Sequence, residues 1–454
     1  MTKAAAPSNI PTEVMEAADS AWLRMEQPEN QMAITGVMYL NPKPCPDRFR
    51  RLLEDRLLQY DRFRQVVSGR SSIPLWEPDP AFHINHHFKE VCLGVDTPAR
   101  DLQEYVGELM STPLDFSRPL WNIWLVEEEK GAGTAVLILK LHHCISDGIG
   151  LVRILLSLAR VAPDGPYFEP HKEYRPRRRG TGGISTGSLR AFRSSAAKIL
   201  RGLYKLVSMP ADTSTHLKGP LQVQKKAVWS PPLPLESVRH LAGFYNATIN
   251  DILLWFVCDA LRAYMKETGE TGTDSSTIPE SFNIRASVPV NLRADDDLVA
   301  TGNRFGLIFI RLPLGVDDSE ERLRLIQQEM RAVKSSGEAV VALGVLRMMG
   351  RTPLSVERAV LNFLTRKCSA VVTNVAGPRR PLYMAGSKLE KMMFWVPTSG
   401  MLGLGISLLS YDGCIQAGVA ADAARVSNPE RITELFYHTF RAAEAVLEKE
   451  KVEP

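Results

Sequence analysis

Apolar and polar positions alternate with different periods along this chain, and the periods mark its elements. Residues 13–25 carry Val14, Ala17, Ala18 and Trp22 on one face and predict an amphipathic helix. Residues 31–40 read as a strand. Residues 134–141 form a β-rich apolar run, Val136-Leu137-Ile138-Leu139, with only Lys140 intruding. After Asp147-Gly148, the residues Leu151, Ile154, Leu155 and Leu158 recur at helical spacing, so this region reads strand, tight loop, helix. Farther on, Asn250-Asp251 opens a strongly apolar helix that runs to Met265. Strand candidates cover 284–290, 303–312, 369–375 and 402–410. Near the end, Asn428 can cap a helix, Pro429 suits its first position, and Ile432, Leu435, Phe436, Phe440 and Ala443 form its buried stripe.

Between 166 and 226 the pattern changes. Arg175, Arg177, Arg178 and Arg179 precede Gly180-Thr181-Gly182-Gly183, which is linker composition. A basic stretch follows, with Arg190, Arg193, Lys198, Arg201 and Lys205 interleaved with Leu189, Phe192, Ile199, Leu200, Leu203 and Leu206. Two readings stand: a solvated crossover between domains, or a basic amphipathic element resting on anionic lipid. The chain therefore divides into 1–165, a linker over 166–226, and 227–454. A length of 454 residues suits two domains sharing an interface.

Composition narrows the classes. A net charge of +4 over 454 residues is too small to imply nucleic acid. Six scattered cysteines without a CxxC pair argue against a zinc ribbon or a disulfide scaffold and fit a reducing compartment. The N-terminus lacks the apolar core of a signal peptide. One uncharged stretch, 392–411, has the length of a membrane span. It contains Pro397, Gly400, Gly403 and Gly405, and its Gly403–Leu408 portion reads better as a core strand.

The strongest chemical signal is His142-His143-Cys144-Ile145-Ser146-Asp147-Gly148, in the loop between the apolar strand and its helix. Acyl transfer to an alcohol needs a base, and imidazole is the side chain whose ordinary pKa suits that near neutral pH. An aspartate four residues on, followed by glycine, can close a tight turn and hold the loop. The pair His86-His87 has no Asp-Gly after it and reads as surface or packing. Zinc is disfavoured, because neither HExxH nor CxxC is present. The formal match Gly183-Ile184-Ser185-Thr186-Gly187 lies in the linker, without the strand and helix a nucleophile elbow requires.

The HHxxxDG motif resembles that of the CoA-dependent acyltransferases, which include chloramphenicol acetyltransferase and peptide-synthetase condensation domains. Other segments resemble the bacterial wax ester synthase/diacylglycerol acyltransferase family in particular. These are Asp19-Ser20-Ala21-Trp22-Leu23, Pro119-Leu120-Trp121, Asn250-Asp251, Val288-Pro289-Val290-Asn291-Leu292-Arg293, Gly302-Asn303 and Asn374-Val375-Ala376-Gly377-Pro378. They keep the family's order over nearly the whole chain. Ala376 departs from the family's usual proline.

The resemblance implies an α/β (α+β sandwich) fold of two chloramphenicol-acetyltransferase-like domains. The catalytic loop would lie in a tunnel at their interface. It further implies an acyl-CoA-dependent O-acyltransferase esterifying a long-chain fatty alcohol or diacylglycerol to wax ester or triacylglycerol. His143, His142 and Asp147 form the catalytic motif: His143 as general base in direct transfer, His142 structural. Asp147 is expected to hold the loop through Arg293, whose alternative is a surface charge, and Gly148 to close the turn. Asn374 or a backbone N–H would serve the oxyanion. Asn250 and Asp251 would line the tunnel or cap their helix. Trp121 and Cys144 are expected to pack. Acyl-CoA enters as substrate, with no resident cofactor and no metal. The expected location is cytoplasmic, peripheral on the inner membrane or on lipid inclusions through 175–206. Two other classes remain open: a condensation-type enzyme with a carrier-bound donor, and a non-catalytic lipid-surface protein.

Overall fold

A computed structural model describes residues 10–69, 73–98, 101–131, 133–169, 202–269, 278–292, 302–334 and 338–452. The strands, in chain order, are β1 (Glu13–Val14), β2 (Ala33–Asn41), β3 (Gln65–Ser68), β4 (Leu75–Pro78), β5 (Phe88–Cys92), β6 (Trp121–Glu127), β7 (Ala135–His142), β8 (Lys225–Trp229), β9 (Leu233–Pro234), β10 (Ile284–Asn291), β11 (Phe305–Leu312), β12 (Ala370–Ala376), β13 (Leu382–Met384), β14 (Ser387–Trp395), β15 (Leu404–Tyr411) and β16 (Cys414–Asp422). The longer α-helices are α1 (Ala17–Met25), α2 (Pro46–Arg56), α3 (Leu102–Ser111), α4 (Gly148–Leu156), α5 (Leu235–Phe244), α6 (Ile249–Glu267), α7 (Ser319–Lys334), α8 (Glu338–Met349), α9 (Leu354–Thr365) and α10 (Pro429–Val452). A shorter helix occupies 202–208.

Two large sheets organise the molecule. The first runs β13-β14-β2-β7-β6-β5; the second runs β11-β10-β12-β15-β16-β8, with β9 pairing β16. Each backs onto its own apolar core. The first core includes Trp76, Trp121, Leu139 and Trp395, and the second includes Phe256, Ile310, Ile406 and Phe440. Strand β7 is buried along its whole length, which is why it reads as a continuous apolar run. Lys140 is buried within it, and its Nζ donates to Gln31 Oε1 and to the Leu109 and Thr112 carbonyls.

The sheets do not follow a strictly sequential division of the chain at 165 and 226. Strands β13 and β14, from the C-terminal half, cross over and complete the first sheet, where β14 pairs antiparallel with β2 from Asn41–Lys388 to Thr35–Trp395. The sequence concealed this strand because a bulge between Leu389 and Lys391 shifts its alternation. The uncharged 392–411 stretch is thus the end of β14, a turn, and β15, in two different sheets. Gly418 of β16 permits the crossing strand to pass close, since a Cβ there would meet Met393 Sδ and Trp395 Nε1 at 2.7 Å.

The predicted helix at 13–25 is shorter than expected. Residues 13–14 instead pair with β4, and Val14 is exposed rather than on the buried face. At the C-terminus Asn428 Oδ1 accepts from the Arg431 N–H, at the start of α10 as expected. No single helix among the described residues is long and apolar enough to cross a membrane. The Gly183–Gly187 match, Arg293 and the basic residues of 175–201 lie outside the described residues.

Candidate active site

Strand β7 ends at His142, and the chain turns through 143–147 before α4 begins at Gly148. Asp147 is the N-cap of α4, with its Oδ1 accepting from the Gly150 N–H at 2.8 Å. Its other oxygen, Oδ2, accepts from the Arg304 N–H at 3.0 Å, across the boundary between the two halves. The carboxylate therefore fixes the turn and ties it to the strand that carries Phe305. A short bridge between Ser146 and Gly302 adds to this seam, with the Gly302 N–H donating to the Ile145 carbonyl at 3.1 Å. Gly302 has φ +83°, which a side chain would resist.

His143 is held from three sides. Its N–H donates to the Met32 carbonyl at 2.7 Å. Its own carbonyl accepts from Asn303 Nδ2 at 2.8 Å, and that same Nδ2 donates to Asp19 Oδ1 at 2.8 Å. Asp19 Oδ1 also accepts from the Asn303 N–H at 2.9 Å. The Trp22 indole stacks on the imidazole, 4.0 Å between ring centroids and 16° from parallel. Phe305 lies on the same cluster at 5.7 Å. Helix α1 supplies both Asp19 and Trp22, three residues apart and so on one face.

Burial pushes the His143 imidazole down to about 4, against partial opposition from the Asp147 carboxylate. The ring is therefore neutral at pH 7, the state a base needs. Its Nδ1 has no side-chain partner among the described residues. Burial also raises the Asp19 carboxyl to about 7, although Asn303 opposes the shift. His142 points away: its Nδ1 accepts from the Cys144 N–H at 3.1 Å, and its Nε2 faces Glu26 Oε2 at 3.4 Å. Cys144 is buried in the first core, and burial drives its thiol pKa well up, so it is a poor nucleophile.

His143 opens onto a cavity between the halves, with about 1020 Å³ of space unfilled by protein atoms, its mouth included. Trp22, Asp147, Gly148 and Ile149 line the His143 side. Strands β10, β11 and β12, helix α9, and residues 394–402 supply the rest, chiefly through Val290, Leu307, Phe309, Leu364, Phe394 and Val396. A mostly apolar wall with one neutral imidazole suits an aliphatic ligand that reacts at a single point.

Of the residues singled out from sequence, His143, Asp147, Gly148 and Asn374 share this cavity. Asn250 stands one bond behind it, its Oδ1 accepting from Asn374 Nδ2 at 2.9 Å. Asp251 is the N3 residue of a capping box with Thr248 and serves the start of α6. Trp121 packs in the core, its Nε1 donating to the Phe63 carbonyl at 2.9 Å. His87 is buried and stacks on Trp121, whereas His86 is exposed. Asp19, Trp22 and Asn303 belonged to segments that carried the resemblance but had no assigned role. The available signal was an acidic residue on the apolar face of a short helix, which is rare without a partner.

Comparison with known proteins bears on the family and the fold. The family model of the wax ester synthase/diacylglycerol acyltransferase catalytic domain matches residues 15–253, and that of the WS/DGAT C-terminal domain matches 301–444. A Mycobacterium tuberculosis protein named "Probable diacyglycerol O-acyltransferase" is 25% identical over 425 residues, covering 89% of this chain and 90% of its own. The O-acyltransferase WSD of Acinetobacter baylyi is 26% identical over 436 residues, covering 89% and 91%. Among solved structures, the wax ester synthase/diacylglycerol acyltransferase of Marinobacter aquaeolei VT8 superposes with a TM-score of 0.68 at 23% identity, covering 96% of this chain and all of that one. The first condensation domain of the CDA synthetase gives 0.61 at 14%, covering 96% and 95%. At such identities the structures speak for the fold, two sheet-rich halves with a shared interface. With one family model spanning more than half of it, the chain belongs to the wax ester synthase/diacylglycerol acyltransferase family and is an acyltransferase.

Proposed function

We propose that this chain transfers a long-chain acyl group from acyl-CoA to the hydroxyl of a fatty alcohol or diacylglycerol, with His143 as general base. One observation carries the reading: an imidazole kept neutral by burial on the wall of a mostly apolar cavity. The acceptor hydroxyl gives its proton to His143 as its oxygen attacks the thioester carbonyl. The tetrahedral intermediate then collapses, and the imidazolium protonates the departing CoA thiolate. Atoms balance without an acyl-enzyme, and Cys144 is buried away from the path. Asp147 and His142 position the loop, and Gly148 starts α4 on the cavity wall. Asn374 has its Nδ2 engaged with Asn250, so a backbone N–H is the better candidate for the oxyanion. The activated acyl group arrives on CoA, and the chemistry asks for no resident cofactor. Substrates this apolar would bring the chain to a lipid boundary on the cytoplasmic side, with the 175–206 segment as one contact.

The test mixes purified protein, a long-chain acyl-CoA and either hexadecanol or dioleoylglycerol, following free thiol and the ester product. His143→Ala should lower turnover by about 10²-fold or more while the purified variant keeps the wild type's far-UV circular dichroism. Absence of thiol release with every hydroxyl acceptor would remove the proposal. Faster transfer from a phosphopantetheinylated carrier than from CoA would favour a condensation-type enzyme.

A further inference from the structure

Apolar side chains left in water are unevenly distributed on this protein. Eight of the fourteen large exposed ones among the described residues fall on three neighbouring helices. Leu203, Tyr204 and Val207 come from the helix at 202–208; Val340 and Met348 from α8; Leu354, Val356 and Phe363 from α9. Tyr204 is 72% exposed and Met348 54%. Scattered exposed hydrophobics need no explanation, but a concentration of this kind does.

The three helices touch. Lys205 pairs with Glu338 at the start of α8. Lys367, just past α9, donates to the Val207 carbonyl at 3.5 Å and lies 4.2 Å over the Phe363 ring. Beneath them Leu206, Val341 and Leu364 share a small core. Helix α8 exposes Val340, Gly344, Arg347 and Met348, the i, i+4, i+7, i+8 stripe of a single face. An ordinary surface helix places its polar residues on that stripe.

Positive charge predominates on this face, although exposed Glu16 and Glu29 border it beside Arg351 and Arg358. Between 339 and 366 the cations Arg347, Arg351, Arg358 and Arg366 are all exposed. The single acidic residue in that stretch, Glu357, is buried and paired with Arg24 at 3.1 Å. Glu338 is likewise buried, against Lys205. The face thus combines apolar side chains with four exposed arginines that outnumber the exposed acids beside them, and their aliphatic stems can lie on hydrocarbon while their heads remain at the surface. A second copy of the chain would bring arginine against arginine. Nucleic acid would leave the apolar side chains unburied.

Helix α9 separates this face from the active site. Leu361, Leu364 and Thr365 line the cavity of His143, while Val356, Arg358 and Phe363 look outward. We propose that α8, α9 and the helix at 202–208 form a docking face for an anionic lipid surface, seated so that a water-insoluble acceptor passes from the lipid to the cavity beside α9. The docking stands on the surface itself; the delivery role rests on the acyl-transfer reading above.

Flotation of the full chain with vesicles, in the absence of substrate, tests the docking. Vesicles of phosphatidylcholine alone are compared with a 70:30 mixture with phosphatidylglycerol. The protein should float with the anionic vesicles, lose most of that binding at 0.5 M salt, and bind zwitterionic vesicles at least tenfold more weakly. The double variant Met348→Asp/Phe363→Asp, neither residue lining the cavity, should bind at least tenfold more weakly while melting like the wild type. Arg347→Glu/Arg358→Glu is a second variant that leaves the apolar side chains in place. Wild-type protein that stays with the buffer, or variants that float as it does, would overturn the proposal. A concentration-dependent dimer broken by the same substitutions would replace it with self-association. Both variants are also assayed with a short-chain alcohol in solution. Turnover retained there but lost with vesicle-embedded acceptor supports delivery through this face, whereas no turnover with any acceptor condemns the catalytic reading alone.

Discussion

Replacing Asp19 with asparagine should make the protein more stable as pH rises, even though the residue lies at the centre of the site. Asp19 Oδ1 accepts both donors of Asn303, and an amide oxygen in the same place can accept both. What the substitution removes is the ionisable proton. The folded carboxyl titrates near 7 against an ordinary 3.8, because burial penalises its charge. A carboxyl raised in this way contributes stability that is complete below about 3.8 and drains away as pH rises through about 7. The rise from 3.8 to about 7 is worth roughly 4 kcal/mol at 1.36 kcal/mol per pH unit. The variant has no such group, so its advantage over wild type should grow by about 1.4 kcal/mol per pH unit between about 4 and 7, then level off. Urea unfolding of both proteins from pH 5 to 8.5 measures the difference, in which every other titration cancels. Turnover should stay within a few-fold, since Asn303 still holds the His143 carbonyl. A flat difference curve, or one that falls with pH, would refute the buried-carboxyl reasoning. Asp19→Ala is the contrast: it strands two Asn303 donors and should cost about 1–3 kcal/mol for each, with turnover falling alongside.

Other expectations concern the chemistry directly. Because the His143 imidazole is neutral down to about 4, the acid limb of kcat/KM should lie nearer 4 than 6.5, while stability declines as pH falls from 6.5 toward 4; a limb near 6.5 would mean the ring is solvated. Trp22→Leu removes the face on which an imidazolium would be stabilised and should lower kcat roughly tenfold with a smaller change in KM; an unchanged kcat assigns the stack to packing. Cys144→Ala should keep turnover within about twofold, as expected for a small buried side chain with no part in the chemistry, and acyl-CoA without acceptor should give no stoichiometric burst of thiol. A burst that disappears in Cys144→Ala would establish an acyl-enzyme instead.

Much of the catalytic loop was legible because its determinants are local. An apolar run ends, Asp147-Gly148 starts a helix, and the histidine between them has few places to go. For Asp251 the sequence left two roles open, tunnel lining or helix cap, and its capping box with Thr248 is the second. Helix α1 illustrates the opposite case. Trp22 was visible as an apolar position, but its contact with His143 spans more than a hundred residues and leaves no periodic trace. Asn303 acts through Asp19, 284 positions earlier. Strand β14 was obscured for a further reason: lysines 388 and 391 and Glu390 interrupt its apolar residues, and its bulge breaks the two-residue period. Helices α8 and α9 were missed because they bury little and leave apolar residues on both sides.

The crossing of β14 into the first sheet has a bearing on how the molecule can be divided. A fragment ending near 169 would lack the partner of β2 and turn this mostly buried inner strand into an unprotected apolar edge, the kind of surface along which chains coalesce. The C-terminal remainder would carry β14 without β2, the strand it pairs with from Asn41–Lys388 to Thr35–Trp395. Neither piece is a free-standing module, so the halves should be recovered from cells only when produced together. The histidine loop and its opposite wall are thereby made in fixed proportion by one folding event rather than assembled from two.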